Sequence, residues 1–104
     1  MYKCRRAAGP VIIDGLLDEA DWRASRAVQL VDLFGNPPLQ PTTVRAMSSG
    51  DILYIGFEVW DKEIWATMTE RDDKVWTEEA VEFFISPPHL YPRAYYEFQI
   101  SPGN

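Results

Sequence analysis

Between Arg71 and Ile85 the chain reads RDDKVWTEEAVEFFI, and its two halves follow different rules. In the second half Val81, Phe83 and Ile85 alternate with Ala80, Glu82 and Phe84. A period of two sends alternate side chains to opposite faces, so this is a strand with one face toward a core and Glu82 turned away from it. The first half is polar and irregular, with one large aromatic, Trp76, among Asp72, Asp73, Glu78 and Glu79. A single strand of this kind has no stability alone. The rest of the chain must supply its partners.

Those partners are readable. Ile52 to Trp60 alternates most cleanly, with Leu53, Ile55, Phe57 and Val59 forming an apolar face and Tyr54, Gly56, Glu58 and Trp60 a mixed one. Ala94 to Ser101 places Tyr96, Phe98 and Ile100 on one side and Tyr95, Glu97, Gln99 and Ser101 on the other. Thr42 to Ser48 reads as a shorter strand closed by the turn Ser49-Gly50-Asp51, and Ala27 to Phe34 alternates enough for another. Residues 2–13 read as an extended arm with its strand portion at Val11 to Ile13. Leu16 to Trp22 reads as a short helical turn capped by Asp18, with Leu17 and Trp22 buried. A further short strand is expected at Ile64 to Met68. The proline-rich stretches GNPPLQP and SPPHLYPR cannot lie inside a sheet and are loops. With no helix beyond about two turns, the pattern predicts an all-β, antiparallel β-sandwich. Its 104 residues suit one small domain.

Charge narrows the partners. Ten basic residues stand against sixteen acidic ones, a net charge of −6, with no basic cluster. A nucleic acid backbone or an anionic membrane surface would repel such a chain. No apolar run reaches membrane-spanning length, and the first residues, MYKCRRAAGPVIIDG, lack the apolar core of a secretory leader. Cys4 is the single cysteine, so neither an intrachain disulfide nor a cysteine-rich zinc site can form. Acidity does suit calcium, which takes carboxylate oxygens, and Asp61, Asp72 and Asp73 are the candidate donors.

Four motifs in order, IIDGLLDEADW, DILYIGFEVWD, VWTEEAVEFFISP and YYEFQISP, resemble those of carbohydrate-binding module family 9. The resemblance implies a β-sandwich that binds the ends of cellulose- or xylan-type chains without turning them over. It also implies a structural calcium, an extracytoplasmic location and a bacterial setting beside glycoside hydrolases. By the same resemblance Trp76 is one half of an aromatic clamp and Glu82 bonds sugar hydroxyls. Gln99 stands where the family carries an arginine, so a neutral amide replaces a charged fork. Arg71 and Glu97 complete the candidate ligand set. The family domain is longer and its second clamp aromatic lies further on, so a C-terminal segment or a second copy of the chain is expected to complete the sandwich.

The same residues admit other readings. Trp76 can pack as a core lid, leaving a structural or interaction domain that binds no sugar. Asp72/Asp73 and Glu78/Glu79 are paired in sequence, but neighbours in an extended segment point apart, so Glu82 and Glu97 are the better pair for a glycosidase. Met47, Met68 and His89 are the side chains a haem relative would use, without any attachment motif.

Overall fold

The computed structural model describes residues 1–89 and 93–103. Among them the chain is all-β apart from one short helix and one 3-10 turn, and its strands form two sheets. It divides into two compact units, Met1–Asp61 and Lys62–Asn104. Part of the proline-rich stretch expected as a loop, 90–92, lies outside the described residues.

In the first unit four strands, β1 (Arg5–Arg6), β2 (Val28–Gln29), β3 (Thr42–Ser49) and β4 (Ile52–Val59), are arranged around β3. The β3–β4 hairpin turns at Gly50, whose φ of +56° is a conformation that glycine adopts without a Cβ clash. Along it β4 pairs antiparallel from Thr42↔Val59 to Ser49↔Ile52. On the other edge β2 pairs antiparallel, Val28↔Val44, and β1 pairs parallel, Arg5↔Met47. The sheet is therefore not wholly antiparallel.

Three local expectations are corrected, two of them by carboxylates that take backbone donors. The arm forms its ladder at Arg5–Arg6 and not at Val11 to Ile13, because side chains take the backbone donors that follow. Asp21 accepts from Ala8 N (2.9 Å) and Gly9 N (3.2 Å), and Glu19 accepts from Ile12 N (2.8 Å). The helix α1 (Ala20–Ala24) starts after Glu19, without a side-chain cap. Asp18 is not the cap; its carbonyl accepts from Arg23. The Ala27 to Phe34 strand is cut to two residues because Asp32 accepts from Phe34 N and Asn36 N, both at 2.8 Å, and folds the chain back.

The core sits on an unexpected side of β4. Leu53 and Val59, on the wholly apolar face, stay 49% and 46% exposed. The register puts Met47 opposite Tyr54 and Arg45 opposite Gly56, which is the mixed face. There Met47 and Trp22 are buried. The cause is Gly56: a Cβ at that position would lie 2.7 Å from a Leu17 methyl and 3.3 Å from the Trp22 ring. The missing side chain is the socket into which Leu17 and Trp22 dock; Trp22 is buried as expected, while Leu17 lies ahead of the helix and is only half-buried. Beside it Arg45 pairs with Glu58 across the hairpin.

In the second unit β5 (Val81–Ile85) and β6 (Tyr96–Ile100) pair antiparallel, with Glu82 opposite Gln99 and Phe83 opposite Phe98. The rings of Phe83 and Phe98 stack at 4.7 Å with a 6° interplanar angle on the apolar face. Phe84 meets Tyr95 edge-on at 5.4 Å on the reverse face.

The Gly56 socket yields an ordered expectation in urea unfolding. Trp22→Ala costs about 3–5 kcal/mol by opening a cavity. Gly56→Val costs about 1–3 kcal/mol by overpacking. Gly56→Ala costs less than Gly56→Val, since a Leu17 methyl can move aside. Equal stability of the valine variant and the parent would show that the socket is not tight.

Candidate functional site

Four tight turns carry the chain from Glu70 to β5. Asp73 N donates to Glu70 O (3.2 Å), and Glu70 N returns a bond to the Asp73 carboxylate (2.9 Å). Asp72 takes φ +63°, a region that aspartate enters more readily than most residues. Val75–Thr77 then forms the 3-10 turn, with Thr77 N bonded to Lys74 O at 2.9 Å. This turn leaves Trp76 54% exposed, so it is not a core lid.

The turn is held by a clasp that the sequence reading missed. Glu78 accepts from Thr67 N (2.8 Å), from the Thr67 hydroxyl and from the Trp65 indole N–H (3.2 Å). Glu79 accepts from Trp65 N at 3.0 Å. These bonds explain why Ile64 to Met68 forms no ladder: its outward N–H groups go to carboxylates and not to a strand. The sequence carried no periodic signal for this pairing, since the partners lie eleven to fourteen residues apart. Glu78 is held below its ordinary value of 4.5, first by the Thr67 hydroxyl, then by the Thr67 backbone N–H.

Next to the clasp is a cleft of about 910 Å³ lined by Trp76, Glu82, Glu97, Gln99 and Arg71. All five candidate ligand residues thus share one concavity within the second unit. Its strand face comes from the register, since Glu82 lies across from Gln99, and Glu97 shares the face by parity. Gln99 Nε2 donates to Glu82 Oε1 (2.8 Å) and to Glu97 Oε1 (2.7 Å). Arg71 is exposed and lies 3.8 Å from Asp72. Glu70, Met68 and Ser101 also line the cleft and were not anticipated. Tyr54, Glu58 and Trp60, the other polar and aromatic residues on a mixed strand face, belong to the first unit and its separate sheet.

Of the candidate calcium donors, Asp72 and Asp73 line the cleft, and Asp73 is engaged with the Glu70 N–H. Among the described residues no group of three or more His, Cys, Asp or Glu side chains is placed to hold a metal ion. Met47 is fully buried in the first unit's core, and Met68 lines the cleft.

Comparison with known proteins decides the family. The profile of carbohydrate-binding family 9 matches residues 13–102. The chain belongs to carbohydrate-binding family 9. A relative described as an extracellular protein, from Arthroderma benhamiae, is 33% identical to this family 9 chain over 69 residues. That match covers 64% of the chain but 31% of the relative, so the chain spans about a third of that protein's length. No solved structure matches.

A depressed carboxyl group stabilises a folded state above its unfolded value and loses that contribution as pH falls through the folded value. The Glu78 clasp therefore holds at neutral pH and is released below 4.5, its ordinary value. Hydrogen exchange at the Thr67 amide, which Glu78 holds, is expected to accelerate on acidification when compared at equal intrinsic rates. In Glu78→Gln the Thr67 amide exchanges faster already at neutral pH and responds less to acid. Unchanged Thr67 protection in that variant would remove the clasp.

Proposed function

We infer that the chain supplies the sugar-gripping part of a non-catalytic binding module, with the cleft around Trp76 as its site. The observation that carries this reading is the convergence of an exposed tryptophan with Glu82, Glu97, Gln99 and Arg71 in one concavity. A pyranose has an apolar C–H face and a rim of hydroxyls. An indole ring supplies apolar area for the first, and carboxylates, an amide and a guanidinium supply partners for the second. The cleft meets both demands at once.

The strand residues contribute precision. Glu82, Glu97 and Gln99 sit on paired strands and hold one another through the Gln99 amide, so little side-chain freedom remains to be lost on binding. Both glutamates are exposed and bonded to a neutral amide. This differs from the apolar pocket that keeps a general acid protonated, which favours binding over glycoside hydrolysis. The ligands we propose are chain ends of plant-cell-wall-type polysaccharides, and the role is to keep an associated glycoside hydrolase near them. An extracellular setting accords with the description of the Arthroderma benhamiae relative. That relative is fungal, so it lends no support to a bacterial setting.

Calorimetric titration with cellobiose, xylobiose and a panel of monosaccharides tests the reading. Saturable binding is expected, and Trp76→Ala weakens it more than about tenfold. Because the ring is exposed, the same variant changes unfolding stability by less than about 1 kcal/mol. Binding that survives Trp76→Ala, or no heat from any sugar, would overturn the assignment.

A further inference from the structure

We propose that this cleft selects cationic amino sugars, 2-amino-2-deoxy units bearing a free ammonium, over neutral sugars and above all over uronic acids. The proposal rests on the sugar-binding reading of the same site and adds the charge class of its ligand. The lining brings Glu70, Asp72, Asp73, Glu82 and Glu97 together against one guanidinium, that of Arg71. Arg71 is already answered by Asp72 at 3.8 Å. On the strand face Glu82 and Glu97 converge on a single nitrogen, Gln99 Nε2, at 2.8 and 2.7 Å. That nitrogen belongs to a neutral amide. It satisfies hydrogen bonds but leaves both negative charges uncompensated.

Two like charges drawn to one point repel, and a cation beside them relieves the repulsion. An ammonium on a bound sugar supplies that cation, with N–H donors for the remaining carboxylate oxygens. Trp76 lines the same cleft and is 54% exposed, and the negative face of an indole ring also attracts ammonium. A uronic acid meets the reverse situation, a carboxylate entering among carboxylates. A neutral sugar keeps the stacking and hydrogen bonds but gains nothing from the charge. Because these carboxylates are solvent-facing, the preference is modest per pair and is screened by salt.

Titrating the chain with four disaccharides separates the terms: β-1,4-linked glucosamine dimer, its N-acetylated form, cellobiose, and a glucuronic acid-containing dimer. At low ionic strength the glucosamine dimer is expected to bind about tenfold tighter than cellobiose, the gain two exposed charge pairs supply. The acetylated form, which keeps the skeleton and loses the charge, forfeits that gain, and the uronic dimer binds weakest. In 1 M sodium chloride, where the screening length falls to about 3 Å, the advantage collapses. Gln99→Arg places a guanidinium between the two glutamates and is expected to abolish the preference. Glu97→Gln removes one charge at nearly constant shape and halves it in logarithmic terms, should the arginine variant fold poorly.

Equal binding of glucosamine dimer and cellobiose, or a preference that survives 1 M salt, overturns the charge proposal while leaving sugar binding intact. Binding of none of the four disaccharides overturns both.

Discussion

Backbone N–H groups outside ladders and helices still need acceptors, and in this chain carboxylates provide them. Asp21 and Glu19 fasten the N-terminal arm, Asp32 folds the segment after β2, and Glu78 and Glu79 fasten residues 65–67. The two sheets are small, one of four strands and one of two, and the segments joining their strands are long. Without these side-chain acceptors the joining segments would leave many donors to solvent. Asp21 and Asp32 accordingly sit below their ordinary carboxyl range. For Asp21 the first cause is the Ala8 N–H, and for Asp32 it is the Asn36 side chain. Much of the acidic excess of the sequence is thus structural and is not merely a solvated surface.

The same dependence explains what could be read in advance. Alternation is a local signal, so β3, β4, β5 and β6 were legible, and with them the parity that puts Glu82, Glu97 and Gln99 on one face. Trp76 was found through the motif around it and Arg71 as a nearby candidate partner, and both line the cleft. Bonds between a glutamate and an amide eleven residues away, as in Glu78 and Thr67, leave no periodic trace. That is why residues 64–68 were read as a strand, and why Val11 to Ile13 was preferred to Arg5–Arg6. Gly56 was read only as one member of the mixed face, yet it is the socket against which Trp22 is buried and Leu17 half-buried.

The cleft combines two kinds of support. Its strand face is set by ladder hydrogen bonds and backed on the apolar side by the Phe83–Phe98 stack. Its tryptophan rides on a turn whose following residue, after Thr77, is the clasp glutamate Glu78. Rigid strands fix the polar groups, and a turn tied by one carboxylate fixes the backbone that carries the ring.

The Gln99 amide has a consequence for what the strand face can say to a ligand. Both of its protons are committed, one to Glu82 and one to Glu97, so only its oxygen remains to bond a ligand. Glu82 and Glu97, as carboxylates, have no protons to give. The three side chains together speak in lone pairs alone. A molecule held there must bring its own protons, and a sugar whose hydroxyls are capped as ethers or esters has fewer to bring.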